Sequence, residues 1–185
     1  MPPKVIIFIG PPGSGKTACA NALGKRLGWT VLDTDRLIED NVGMTIPQIF
    51  ERHGETRFRA LESELLEKLA RGELASQPLV IATGGGMPVA PGNFERLEAL
   101  GAVIYLQADL DVLTTRLVNE GGRPLLAGNR DAVGKSSADL LKEKLAGLVS
   151  VRAPVYGRAR YKLDTDGRTP EDIAEQVLKL LGLPA

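Results

Sequence analysis

The sequence is short of the residues on which several catalytic strategies depend. Cys19 is the only cysteine, so no disulfide or cysteine-based zinc site can form within the chain, and a reducing compartment is expected. His53 is the only histidine, which removes Ser-His-Asp and Cys-His chemistry and multi-histidine metal sites together. An excess of one charge is missing too. Lys plus Arg and Asp plus Glu number 23 each, leaving no global field toward nucleic acid or an acidic membrane. The apolar run near the N-terminus, Val5 to Ile9, is far below the roughly 18 residues of a membrane span and lacks a signal peptide's length and cleavage pattern. The expectation is a cytoplasmic protein without nucleic-acid or membrane partners, working as a monomer.

What remains is average globular material with one excess. At 185 residues, 43% hydrophobic and 25% charged, the chain suits one domain that buries roughly 70% of its unfolded surface. Glycine, at 21 residues, exceeds the usual share of about 7%, so many backbone positions need a bare Cα.

Continuous or β-branched runs predict strands at Val5–Ile9, Thr30–Leu32, Leu79–Ala82, Ala102–Leu106 and Tyr161–Leu163. Helical patterns lie between them: Thr17 to Leu27, a start at Thr45-Ile46-Pro47-Gln48, about Glu55 to Arg71, Asn93 to Leu100, and a segment from an Asp109 cap to about Asn119. A further helix opens at Ser136 or Ser137 and is read to about Val149, and a last one begins at Thr169-Pro170 and ends near Leu181-Gly182. Strands alternating with helices predict an α/β protein, a three-layer α/β/α domain over residues 1–185 with a five-stranded parallel sheet. Residues 121 to 136 have glycines, arginines and little apolar periodicity, and read as a mobile lid.

Gly10-Pro11-Pro12-Gly13-Ser14-Gly15-Lys16-Thr17 matches G-x-x-x-x-G-K-[ST] in full. Glycines let such a loop wrap so that backbone N–H groups face a polyphosphate, and the following helix presents its positive end to the same anion. Lys16 then reaches the terminal phosphates, and the Thr17 hydroxyl can bind Mg²⁺. A buried strand before the loop and a helix after it supply the context this motif requires.

Asp33-Thr34-Asp35 follows the second strand. Ligands gather outside the carboxyl ends of parallel strands, so one carboxylate there can serve Mg²⁺ and the other a substrate hydroxyl. The alternative is structural, with Asp35 as the N-cap of the segment Arg36 to Asp40. Gly84-Gly85-Gly86 ends the third strand at the same edge and allows a ligand close to free N–H donors; the alternative is a flexible strand exit. Arg59, Arg123 and Arg152 are the cations suited to planar recognition of carboxylate or phosphate, although an arginine commonly does no more than solvate a surface.

Taken in order, these motifs resemble the shikimate kinase family over nearly the whole chain. The match runs through the P-loop, Asp33-Thr34-Asp35, Ile46-Pro47-Gln48-Ile49-Phe50, Gly54-Glu55 and Phe58-Arg59-x-x-Glu62. It continues through Ala82-Thr83-Gly84-Gly85-Gly86, Arg123-Pro124-Leu125-Leu126, Arg152-x-Pro154-x-Tyr156 and Leu163-Asp164-Thr165. The resemblance implies a P-loop kinase fold of the nucleoside-monophosphate-kinase type and ATP-dependent phosphorylation of the shikimate 3-hydroxyl, a step toward chorismate and the aromatic amino acids. It implies nucleotide contacts from Gly13, Ser14, Gly15, Lys16, Thr17, Ala18, Arg123 and Arg168, and Mg²⁺ at Thr17 and Asp33, the latter through water. The implied catalytic residues are Lys16, Asp35 and Arg123, with Asp35 taking the proton of the attacking hydroxyl. Arg59 and Arg152 would clamp the substrate carboxylate, Gly84, Gly85 and Gly86 would supply backbone donors, and Phe50, Phe58 and Glu62 would line or support the pocket within a substrate-binding region of about residues 34–71. One stretch departs from the family pattern. Gly128 to Lys135 looks like extra sequence in the lid, which makes Arg130 a competitor of Arg123 for the phosphates.

A P-loop kinase for another small polyol or acid, such as gluconate, would share Lys16 and Asp33 but need not keep both Arg59 and Arg152. A catalytically silent ATP-binding relative is the alternative from outside enzymology. Cys19 and His53 read as bystanders, and Trp29 as packing for the second strand.

Overall fold

The computed structural model describes residues 3–74, 78–119 and 136–184. Its centre is strand β1 (Val5–Ile9), of which every residue is buried. The pleat sends Val5, Ile7 and Ile9 into one hydrophobic cluster and Ile6 and Phe8 into another on the opposite face. That two-sided burial is why the run is apolar throughout rather than alternating.

Five parallel strands form the sheet in the order β2 (Thr30–Asp33), β3 (Leu79–Ala82), β1, β4 (Ala102–Gln107) and β5 (Tyr161–Asp164). Helices α1 (Lys16–Leu27) and α7 (Pro170–Leu181) pack together over the face of Ile6 and Phe8. The face of Ile7 and Ile9 is covered by the span α3 (Ile46–Ala70) and by α4 (Asn93–Leu100), with Phe58, Leu65, Leu66, Phe94 and Leu97 buried there. Helix α2 (Thr34–Val42) leads from β2 into α3, and Glu39 accepts from the Ile46 N–H at 2.8 Å to set the corner. This is the three-layer α/β/α arrangement and the parallel sheet expected from the sequence.

Two predicted helical pieces, one starting at Thr45 and one near Glu55, are halves of α3. Gly54 stands between them at φ 75°, ψ 171°, outside helical geometry. Thr45 and Gln48 form a reciprocal cap at the predicted start. Helix α5 (Leu110–Asn119) packs on α6 (Ser137–Tyr156) through Leu113, Leu117, Leu141 and Leu145, a cluster of its own.

Helix α6 corrects the sequence reading, which stops it near Val149. The helix carries Pro154 inside its last turns and continues to Tyr156. Proline costs the helix one N–H bond and crowds the carbonyl four residues before it. Tertiary anchoring outweighs that cost: the Tyr156 ring is fully buried beside Tyr105, with centroids 5.3 Å apart. The predicted lid, residues 121–136, falls outside the described residues except for Ser136, which caps α6 by accepting from the Asp139 N–H. Among the described residues, no helix is long and apolar enough to cross a membrane.

Candidate active site

All five strands run the same way, so their carboxyl ends meet at one edge, and the motifs singled out in the sequence collect there. The loop after β1 turns through Gly13 (φ 78°) and Gly15 (φ 85°), conformations that a side chain would strain, and α1 begins at Lys16. Lys16 Nζ folds into the loop and donates to the carbonyls of Gly10 (3.0 Å) and Pro11 (2.8 Å). Burial lowers its pKa to about 8, against the opposing pull of Asp35 and Asp33. Ser14 is fully buried, while Thr17 and Ala18 are exposed on the first turn of α1.

Thr17 Oγ1 donates to Asp33 Oδ2 at 2.7 Å, so the two residues expected at the metal stand side by side. The other oxygen of Asp33 accepts from the N–H groups of Asp35 (3.1 Å) and Arg36 (3.3 Å). Asp33 is therefore the N-cap of α2. The structural alternative considered for Asp35 belongs to its neighbour two residues earlier, because β2 runs on to Asp33 and the helix starts at Thr34. Asp35 is left within the first turn with a buried, unpartnered Oδ1. Burial raises its pKa to about 6, helped by the Asp33 charge and opposed by Lys16.

The glycine turn after β3 is where the remaining groups converge, each against a different glycine. A β-carbon on Gly84 would collide with the Asp35 carboxylate, one on Gly86 with the Arg59 guanidinium, and one on Gly85 would meet Arg152 at 3.3 Å. The run of glycines thus leaves room for three of the side chains singled out in the sequence. Gly84 differs from expectation in one respect: its N–H is not free but donates to Thr34 Oγ1 at 2.9 Å. A buried N–H leaving a strand requires an acceptor, and the Thr34 hydroxyl provides it.

Arg59 and Arg152 line one cavity of about 410 Å³ together with Gly86, Glu55, Val89 and Leu148. Arg59 NH1 pairs with Glu62 at 2.7 Å, while its Nε and NH2 meet Glu55 at 3.2 and 2.9 Å. Burial works against the Arg59 charge, but its two carboxylate partners outweigh it and hold its pKa up. Glu62 has no exposed surface. Burial pushes its pKa up to about 7 in spite of the ion pair. Phe58 is buried under Arg59, whose guanidinium carbon lies 5.4 Å from the ring centre. Phe50 stacks on Phe58 at 4.9 Å and is 37% exposed. Phe50, Phe58 and Glu62 thus stand behind the arginine rather than in the cavity wall.

Arg168 is exposed in the turn after β5 and donates to Gln176 of α7 at 2.6 Å. Arg123 and Arg130, with the extra stretch Gly128 to Lys135, lie outside the described residues. Arg116 of α5, unremarked in the sequence, touches the phosphate loop directly. It donates to the Gly13 carbonyl at 3.3 Å and to Thr165 Oγ1 and the Thr165 carbonyl at 3.0 and 2.8 Å. No motif marks it, and only the sheet order, with β4 beside β1 and β5 beyond it, brings it near. Cys19 is buried, its thiol pushed up to about 11 by burial, and His53 is exposed. Trp29 packs partly buried against the cluster under α1.

A fixed lysine at a phosphate loop, a half-buried carboxylate and two arginines around one cavity form a set suited to phosphoryl transfer onto a small acid. Comparison with known proteins agrees. A family model described as shikimate kinase matches residues 12–182. The chain is 35% identical to a shikimate kinase of Thermodesulfovibrio yellowstonii, over 95% of this chain and 94% of that one. It is 39% identical to a shikimate kinase of Synechococcus sp., over 95% and 83% of the two chains. Among solved structures, a shikimate kinase from Acinetobacter baumannii in complex with shikimate superposes with a TM-score of 0.82 at 34% identity, covering 97% of this chain and 92% of that one.

Proposed function

The chain belongs to the shikimate kinase family, and on that premise we propose how its residues divide the work of phosphorylating shikimate with ATP. The reaction moves the terminal phosphoryl group of ATP to shikimate, and the proposed acceptor is the 3-hydroxyl. Phosphoryl transfer needs positioning and charge neutralisation more than covalent help from the protein. The observation that carries the proposal is the convergence of Asp35, Arg59 and Arg152 on the three-glycine turn beside the phosphate loop.

Gly13 to Ala18 hold the nucleotide phosphates through the loop and the N-terminal turn of α1. Lys16 leaves its carbonyl partners for the terminal phosphates, where abundant negative charge raises its pKa from about 8 and keeps it protonated. Thr17 and Asp33 offer a hydroxyl and a carboxylate 2.7 Å apart, hard oxygen donors of the kind that Mg²⁺ takes. That donor pair suits a metal that would be held by one carboxylate, a hydroxyl, water and substrate phosphates. Mg²⁺ bound there supplies charge neutralisation on the phosphates.

Asp35 accepts the proton of the attacking hydroxyl. A pKa of about 6 leaves it ionised at neutral pH yet basic enough to be useful. Arg59 and Arg152 clamp the substrate carboxylate, with Glu62 and Phe58 fixing Arg59 from behind, and backbone donors come from Gly85 and Gly86. Arg116 and Arg168 belong to the nucleotide side, and a lid arginine, Arg123 or Arg130, completes the phosphate site. The protein is proposed to work as a cytoplasmic monomer of one P-loop kinase domain. A coupled assay of ADP release with shikimate and gluconate side by side tests the substrate assignment. Shikimate-dependent ADP formation is expected, and turnover with gluconate alone would overturn it.

A further inference from the structure

Tyr156 stands outside the residues assigned above, yet its hydroxyl touches one of them. The hydroxyl donates to the Gly85 carbonyl at 2.5 Å, and the nearby Arg152 cation acts on it electrostatically. A phenol has one proton to donate, and here it goes to Gly85. Burial raises the phenol's pKa, so it keeps its proton across the working range. The ring is already held without the hydroxyl, fully buried and packed on Tyr105.

The peptide that receives this bond joins Gly85 to Gly86. In a planar trans peptide the N–H points opposite to the C=O, so pinning the Gly85 oxygen also fixes the direction of the Gly86 N–H. Gly86 lines the cavity shared by Arg59 and Arg152. Neighbouring turn bonds run from Met87 N–H to the Gly84 carbonyl and from Val89 N–H to the Gly86 carbonyl, and neither uses the Gly86 N–H. A hydrogen bond donated to a carbonyl also strengthens the donor at the far side of the same peptide.

We propose that Tyr156 is a positioning residue for carboxylate recognition. Its hydroxyl orients and polarises the Gly85–Gly86 peptide so that the Gly86 N–H meets the substrate carboxylate. Two glycines make the device necessary, because a Gly-Gly peptide has little side-chain sterics to stop it rotating. The inference rests on the proposed carboxylate clamp and adds the group that sets its geometry.

Tyr156→Phe keeps the ring and removes the hydroxyl. Calorimetric dissociation constants for shikimate, its methyl ester and ATP, on wild type and variant, test the inference. The wild type is expected to bind the acid more tightly than the ester. In the variant the acid should weaken about tenfold, the worth of one charge-assisted hydrogen bond, while the ester and ATP change less than twofold. A purely structural role would weaken acid and ester alike, and that result, or no change in either, overturns the inference. If wild-type enzyme binds acid and ester equally, the clamp itself is wrong and the inference falls with it. Should the variant fail to fold, the amide ¹⁵N resonance of Gly86 in the wild type decides: a shift with shikimate and none with the ester supports the inference, and no shift with either refutes it.

Discussion

Asp35 shows how far the surroundings of one residue set its chemistry. Its sequence context, Asp-Thr-Asp after a strand, offers two carboxylates that the spacing alone does not tell apart, and only the family resemblance assigns them. The structure separates them: Asp33 is committed to capping α2 and to Thr17, while Asp35 is half-buried against Gly84 with a buried, unpartnered oxygen. Asp35→Asn keeps the shape and removes the proton acceptor, so transfer should fall roughly 10²–10⁴-fold in single-turnover experiments while ATP binding survives. A much smaller loss would withdraw the base assignment. In the wild type, kcat/KM for shikimate should rise with pH through about 6, the pKa at which Asp35 loses its proton. Lys16→Met should bring transfer near to undetectable and weaken ATP in equilibrium binding, because the phosphates lose their fixed cation. Local signals made Lys16 legible, since eight contiguous residues carry the whole motif. Arg116 was not, because its contact with Gly13 spans 103 residues of chain and depends on strand order. Tyr156 stood in a quoted motif, but its partner at Gly85 is 71 residues away, and no spacing rule reports such a bond.

At the scale of elements, the strands and most helix starts were readable because their causes are local. β1 is apolar at every position because both faces are covered, and the helix starts read at Thr45, at Ser136 or Ser137, and at Thr169 fall on reciprocal caps formed by Thr45, Ser136 and Thr169. Thr45→Ala removes one such cap and should cost about 1 kcal/mol in urea unfolding. No loss would mean that α3 is held at its start by Glu39 and tertiary packing alone. The end of α6 was misread because Pro154 argues locally against a helix, and only the burial of Tyr156 overrides it. That extension bears on the proposed clamp: it carries Arg152 in helical geometry one turn before the buried tyrosine, so the arginine leaves a rigid element and not a loop.

Across the whole molecule, the sheet keeps stability and chemistry at different addresses, with the packed faces below and the charged edge above. That edge has an energetic consequence. Asp35 and Glu62 have folded pKa values of about 6 and about 7, above their ordinary values of 3.8 and 4.5. Between the ordinary and folded values the folded protein binds more protons than the unfolded chain, so these groups lower stability as pH rises through that window. Urea midpoints of wild type and Asp35→Asn at pH 5 and pH 8 should show the variant gaining more at pH 8, where the wild-type carboxylate is charged and buried. Equal shifts at both pH values would contradict the assigned environment.

In the proposed clamp, Arg59 and Arg152 recognise the acid group of shikimate at the glycine turn, independently of the phosphate loop. Titration calorimetry of Arg152→Ala with shikimate, and separately with ATP, decides whether they do. Truncating one partner of a buried charge pair costs about 2–5 kcal/mol, and each 1.4 kcal/mol is tenfold in affinity. Shikimate binding should therefore weaken roughly 30-fold or more, with ATP affinity unchanged and Arg152→Lys recovering only part of the loss, since an ammonium lacks the planar fork. Equal losses for both ligands would move Arg152 into the fold or the nucleotide site, and no loss for either would remove it from the site.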